Sequence, residues 1–413
     1  MKLIQQSQAG DLWRGIALPA IVASAALLAV YLATTAWQLP YPRDLHGYVL
    51  GRDFLNAWLY GREAWGEAAG RFYDIRLYNA ELAALTFADY PTQQWSYPPH
   101  LMLLMAPFGL LDYLPAYLLW TALGAGALIW AVPASLPRSW GTLALLLSPA
   151  GLVCLVSGQN AFLAAALLVA LFRWLDARPI LAGILLGLLT VKPQLGLMFP
   201  LMLLLTGRWR VFCSAAATTL TLIGATAALW GLEIWEVYFT EALPLQEYVI
   251  ADPTRATMGL MPTAYMNARI AGLSAGPAYA IQACVAVLAG AAVVWTYRCR
   301  RDPLLSYAIL IAASLAATPY LMSYDLVVVA WLILALAATG QVGAGERLLL
   351  LLVYFLPFLA IAGELFGLPG SALVLPLFAA SLIRKLAAGA AERPAWGSPA
   401  RLAESPSRGV ASG

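Results

Sequence analysis

Asp53, in the run Gly51-Arg52-Asp53-Phe54, is the residue whose type and setting best suit catalysis. A carboxylate facing a cavity at membrane level can take the proton from an acceptor hydroxyl while a phosphate leaves from the other face of a sugar, which is general-base chemistry. Aspartate is also a favoured helix N-cap and suits the positive end of the helix dipole, so a capping role is open at the same position. The two roles are compatible.

Three further groups carry polar chemistry into apolar sequence. Tyr320 to Asp325 (YLMSYD) opens an apolar run. Tyr324 and Asp325 there could contact a substrate, or could be a hydrated carboxylate beside an aromatic belt. Lys192-Pro193-Gln194 interrupts another apolar run. An intramembrane lysine is costly and marks a candidate site, with a lipid phosphate as a natural counter-ion. The plain alternative is a lysine that snorkels or pairs with a carbonyl, and a mid-span depth sits badly with a phosphate held near the headgroups. Ser157-Gly158-Gln159-Asn160 reads as a polar turn without a mechanism of its own. Arg298-Cys299-Arg300-Arg301 reads as a topology determinant. His46 and His100, the two histidines, are not spaced as a metal pair, so zinc is not expected, and Asp44, Asp53, Glu63, Glu67 and Asp74 would hold Mg²⁺ or Ca²⁺ only if the fold brings three together.

The elements that must position these groups follow from composition. Hydrophobic residues make up 62% and charged residues 11% of the 413, with mean hydropathy +0.76. Soluble domains have roughly 45–50% apolar and about 25% charged residues, so this is an integral membrane protein. The net charge of +3 is small and shows no basic stripe with interleaved aromatics, which argues against nucleic acid. The four cysteines lie in or beside apolar runs and imply no disulfide framework.

Against the roughly 20 residues needed to cross hydrocarbon, the apolar runs predict an all-α polytopic bundle of about twelve transmembrane helices. They fall near 16–36, 99–111, 114–132, 140–156, 161–175, 180–206, 210–231, 277–297, 304–318, 325–339, 347–363 and 371–387. The first reads as an uncleaved anchor rather than a secretory signal. Lys2, Arg14, Arg208, Arg210, Arg298, Arg300, Arg301, Arg347, Arg384 and Lys385 collect on one side, expected to be cytoplasmic with both termini; Arg138, Arg173 and Arg178 lie on the other. That alternation places loops 37–98 and 232–276 outside, and the turn 157–160 inside. Residues 1–388 then form the membrane domain, and 389–413 a disordered cytoplasmic tail.

Loop 37–98 is too long for a connector. The stretch Trp37 to Pro99 holds 12 of the 45 charged and 14 of the 47 aromatic residues. Asp53 to Ala68 spaces Phe54, Trp58 and Trp65 as an amphipathic helix lying in the interface plane, and Leu77 to Phe87 is a second candidate.

Ordered along the chain, Gly51-Arg52-Asp53-Phe54, Phe72-Tyr73-Asp74, Trp95-Ser96-Tyr97-Pro98-Pro99, Pro107, Ser157-Gly158-Gln159-Asn160, Gly183 to Gln194 (GILLGLLTVKPQ), Gly207-Arg208-Trp209-Arg210, Thr318-Pro319-Tyr320 and Ser323-Tyr324-Asp325-Leu326 together resemble glycosyltransferase family 87. The resemblance covers roughly residues 45–330. It implies a GT-C fold enzyme of the plasma membrane that uses a polyprenyl-phosphate sugar, typically mannose, and a lipid-linked or glycolipid acceptor in the outer leaflet. It also implies that an acidic residue of the first outer loop is the base. Asp53 matches, with Asp44 and Asp74 as nearby competitors. Some members carry a histidine near the sugar-phosphate in the stretch that here reads Ser323-Tyr324-Asp325, so its role could pass to Tyr324 or Asp325 or be absent.

The expected reaction is inverting transfer, with Arg52, Lys192 and Arg269 around the leaving phosphate and Tyr97, Tyr324 and Asp325 among the substrate-binding groups. No cofactor is expected: the chain has no Asp-x-Asp pair for a metal-bound nucleotide sugar and no phosphate-binding loop. The competing class is a transporter or lipid flippase. A carrier should show repeat symmetry, whereas the polar material here is concentrated after the first span. A scaffold role has no positive support.

Overall fold

A computed structural model describes residues 2–66, 69–95, 97–133, 140–245, 258–299, 302–339 and 344–391. Glu67, Ser96, Arg138, Arg300, Arg301, much of the second loop (246–257) and the tail from 392 lie outside the described residues. The protein is all-helical there, with two isolated β-bridges joining Ala36, Arg43 and Val49.

In chain order the helices are α1 (Lys2–Thr34), α2 (Arg52–Glu63), α3 (Ile75–Leu85), α4 (Leu101–Gly109), α5 (Tyr113–Ala131), α6 (Trp140–Leu146), α7 (Pro149–Ser157), α8 (Ala161–Trp174), α9 (Pro179–Leu188) and α10 (Phe199–Thr206). They continue as α11 (Trp209–Trp230), α12 (Glu233–Val237), α13 (Ala264–Ile270), α14 (Ala275–Cys299), α15 (Pro303–Ala317), α16 (Val327–Ala338), α17 (Arg347–Tyr354), α18 (Leu356–Leu365) and α19 (Val374–Ala391). Local chemistry sets several starts. Ser148 accepts from the Gly151 N–H ahead of Pro149, and Asp302 accepts from Leu305 N–H ahead of Pro303. Both pair an N-cap side chain with proline in the first turn, where its missing N–H costs nothing.

On length and composition, four described stretches can cross a membrane: α5, α11, α14 and Ser371–Ala388. The pair α17–α18, bent by 70°, makes a fifth if it is one broken span. The other apolar helices run 10–17 residues, short of the roughly 20 needed. Four or five of the described stretches are therefore long and apolar enough to cross, where the sequence suggested about twelve. Apolar runs that read as continuous are interrupted: 140–156 breaks at Ser148 into α6 and α7, and 180–206 breaks at 189–198 into short 3₁₀ turns. The final helix continues to Ala391, past the expected start of the tail at Gly389.

Two cores result. One is aliphatic and centres on α8, α15 and α16, with nearly every residue of α15 and α16 buried. The other is the aromatic core of loop 37–98, where Phe54, Trp58, Tyr60, Tyr73, Tyr78 and Trp95 pack with α4 and α5. Tyr60 stacks on Trp95 with centroids 4.3 Å apart. The loop thus holds its own folded layer. Helix α2 is shorter than expected, ending at Glu63, and is buried on more than its apolar side, with Arg62 exposed. Asn56 and Glu63 on its polar side are buried along with Phe54 and Trp58, because the aromatic layer encloses the helix.

Candidate active site

Two glycines set the position of Asp53. Gly51, with φ +77°, precedes α2, and its amide donates to the Val156 carbonyl at 3.0 Å. Gly158, with φ +71°, ends α7. A Cβ on Gly51 would lie 2.7 Å from the Tyr117 ring, and one on Gly158 would lie 2.6 Å from Phe54 Cβ and 3.2 Å from Gly51 Cα. Both positions require the left-handed backbone and backbone-to-backbone contact that glycine permits. They bring the start of α2 against the end of α7.

That contact corrects the topology read from Lys/Arg alternation. The turn 157–160 was expected on the inner side, away from Asp53. Instead Gln159 Nε2 donates to Asp53 Oδ2 at 3.0 Å. The physical reason is the length of α7: nine residues rise about 14 Å at 1.5 Å each, roughly half the hydrocarbon thickness. Strict alternation of short apolar runs therefore miscounts the side.

Asp53 does not cap its helix with a side-chain hydrogen bond. The N-cap is Gly51, and Asp53 sits in the first turn, where only the dipole argument survives. Its side chain is 18% exposed, with Oδ1 3.7 Å from Arg52 Nε. The competing carboxylates are engaged locally. Asp44 accepts from the His46 and Tyr48 amides at 2.9 Å each. Asp74 caps α3, accepting from Arg76 and Leu77 N–H, and these bonds hold its carboxyl below the ordinary aspartate value. Glu63 pairs with Arg71, and Asp89 with Arg43.

From Gln159 the network extends. Tyr97 Oη donates to Gln159 Oε1 at 2.9 Å, and Tyr73 Oη donates to the Tyr97 carbonyl at 2.8 Å. Burial pushes the Tyr97 phenol well above its ordinary value, and the nearby Asp325 and Asp53 carboxylates push the same way, so it stays a hydrogen-bond donor at neutral pH. Asp325 Oδ1 accepts from Lys192 Nζ at 2.6 Å, with both side chains almost fully buried. Lys192 Nζ also lies 4.5 Å from the Tyr324 ring centre, a cation–π distance. Lys192 sits in the break between α9 and α10 and Asp325 in the 3₁₀ turn before α16, so neither interrupts a regular helix. Its depth is thus that of a helix break, not of a continuous span.

Arg52, Asp53, Tyr97, Lys192, Tyr324 and Asp325 therefore come together from four separate segments. Arg269 lies on α13, where its guanidinium donates to Leu273 O at 2.8 Å across its own helix end, not to that group. Gln159 joins them although sequence reasoning gave it no role. Its signal was present: a Gln-Asn pair after a glycine between two apolar runs. His100 stacks on Trp235 and lies 3.3 Å from Thr190 Oγ1. Among the described residues no three His, Cys, Asp or Glu side chains are grouped as metal ligands.

A cavity of about 280 Å³ adjoins the cluster, lined by Leu27, Tyr31, Leu152 and Val156 together with Asp44 and Arg52. A larger, open cleft of about 1030 Å³ lies between the first loop and α12, bounded by Arg71, Arg76, Glu233 and Glu241. Asp53 does not line it, and the chemistry is placed by the hydrogen-bond network rather than by the bigger volume. The family model of glycosyltransferase family 87 matches residues 95–323, more than half of the chain. That match contains Tyr97, Gln159, Lys192 and Arg269, starts after Asp53, and ends just before Tyr324 and Asp325. No curated protein and no solved structure matches.

Proposed function

The chain belongs to glycosyltransferase family 87 and is a membrane glycosyltransferase, and we propose that it transfers a hexose, mannose by family habit, from a polyprenyl-phosphate donor to a lipid-linked or glycolipid acceptor. The observation that carries this reading is the gathering of a partly open carboxylate, Asp53, hydrogen-bonded through Gln159 to Tyr97, with the buried Lys192–Asp325 pair near enough for the Tyr97 phenol to feel both carboxylates. Buried ionised groups are costly in an apolar protein and persist where they serve a polar substrate.

Each group has a role in one displacement. The acceptor hydroxyl gives its proton to Asp53 and attacks the anomeric carbon. The bond from that carbon to the phosphate oxygen breaks, and the polyprenyl phosphate leaves from the opposite face with inversion. Arg52 and Lys192 stabilise the charge that develops on the phosphate. The phosphate is a good leaving group, so positioning and charge suffice without a metal or cofactor. Asp325 Oδ2 and Ser323 Oγ are buried without a hydrogen-bond partner among the described residues. Buried polar atoms are normally satisfied, and sugar hydroxyls bound beside Tyr97 and Tyr324 would satisfy them. The cavity's apolar lining together with Arg52 suits the phosphate end of an isoprenoid lipid, with the Asp44 carboxylate also on its wall.

In this reading residues 1–388 form one GT-C-like domain in the plasma membrane, with about twelve membrane-embedded segments, both termini cytoplasmic and the loop 37–98 outside. Purified protein incubated with labelled polyprenyl-phosphate sugars and membrane lipid extract should yield a labelled glycolipid, in the presence of excess chelator. Transfer from a nucleotide sugar and from no polyprenyl-phosphate sugar would overturn the donor assignment.

A further inference from the structure

We propose that Gln159 is the positioning residue for Asp53, fixing which carboxylate oxygen receives the acceptor's proton; this rests on the reading of Asp53 as the base. The Gln159 carboxamide is held by two donors on its oxygen side: Tyr97 Oη at 2.9 Å and the backbone N–H of Asn160 at 3.3 Å. The second decides the orientation. A backbone N–H can only donate, so Oε1 must face it, and Nε2 must face Asp53 Oδ2, 3.0 Å away. Oδ2 is thereby occupied by a neutral donor, and Oδ1, 3.7 Å from Arg52 Nε, is left without a hydrogen bond among the described residues.

A glutamine at this point does what neither an acid nor a base would. It donates a neutral N–H to one carboxylate oxygen of Asp53, and it cannot take the proton itself. The backbone holds it there, because Gly158 brings the turn against Gly51 two residues before Asp53. The other groups near enough to feel the Asp53 charge make no hydrogen bond to it among the described residues. They are Arg52 on the same helix, Tyr78 of α3, Tyr90 and Tyr97 of the loop, and Tyr320, Tyr324 and Asp325 between α15 and α16. The hydrogen bond to the carboxylate among the described residues comes from Gln159.

The test compares the parent with Gln159→Leu, Gln159→Glu and Asp53→Asn, all as full-length purified protein. Infrared difference spectra with labelled aspartate follow protonation of the Asp53 carboxyl, the Asp53→Asn variant identifying its band, so this readout needs no substrate. Gln159→Leu should move the protonation to higher pH and lower kcat by about 10–100-fold with KM little changed, a part of what general-base catalysis contributes. Gln159→Glu, which places a second carboxylate at the same distance, should move the acidic limb of the pH–rate profile further upward. Should Gln159→Leu fail to fold, Tyr97→Phe removes one hydroxyl from the other end of the same amide and should shift the limb in the same direction by less. Unmoved protonation in the leucine, glutamate and phenylalanine variants, with Asp53→Asn inactive, would overturn the positioning role alone. An active Asp53→Asn would instead overturn the reading of Asp53 as the base, and the catalytic role of Gln159 with it.

Discussion

At the residue scale, the sequence singled out Asp53, Lys192 and Asp325 as separate oddities, and the fold makes them neighbours in one polar cluster. Spacing along the chain could not show that Lys192 and Asp325 pair, because 133 residues separate them. Their pairing has a testable energetic consequence. Lys192→Met alone leaves Asp325 buried without its counter-ion, which should cost about 3–5 kcal/mol of stability. The double variant Lys192→Met, Asp325→Leu removes both charges and should recover most of that loss in a thermal melt in detergent. If Lys192 also stabilises the leaving phosphate, the recovered double variant should still transfer at least about 10²-fold more slowly. A double variant as active as the parent would make the pair structural only.

At the element scale, the decisive feature is the contact between the start of α2 and the end of α7. Gly158→Ala should lower both stability and transfer. It places a Cβ in a left-handed backbone and 2.6 Å from Phe54 Cβ, a strain of order 1–3 kcal/mol. Gly224→Ala in α11 meets nothing within 4 Å and should be neutral or more stable by up to about 1 kcal/mol. Thermal melts of the two variants check this, and equal behaviour would remove the close approach from the account. Most helices were legible from their apolar runs, but the starts at Ser148-Pro149 and Asp302-Pro303 were not read, and the first of these splits a run taken as continuous. The α2–α7 contact was not legible, since nothing in a polar tetrad such as Ser157 to Asn160 says which surface it meets. The burial of α2 was hidden for a related reason. Its amphipathic pattern reports which residues are apolar, while the layer that encloses its polar side comes from aromatics 20 to 40 residues further on.

At the scale of the whole molecule, composition identified a membrane protein and the ordered motifs identified its family, while the number of crossings was the weakest expectation. Apolar run length does not separate a full span from half-helices such as α7, and charge alternation inherits that error. The orientation can be measured directly. With Cys213, Cys284 and Cys299 replaced by alanine, a cysteine at Arg76, whose side chain is 89% exposed, should react with an impermeant maleimide in intact cells. A cysteine at the exposed Arg384 should react only after lysis. The reverse pattern would put the aromatic loop, and the active site with it, on the cytoplasmic face.

The central claim is that Asp53 removes the acceptor's proton, and Asp53→Asn tests it most directly. The substitution keeps size, position in the first turn of α2 and a partner for Gln159, and removes the base. Transfer of labelled hexose from the polyprenyl-phosphate donor should fall by about 10²–10⁴-fold, with the melting temperature and donor binding close to those of the parent. Transfer within a few-fold of the parent, from a variant that is folded and binds donor, would contradict the account.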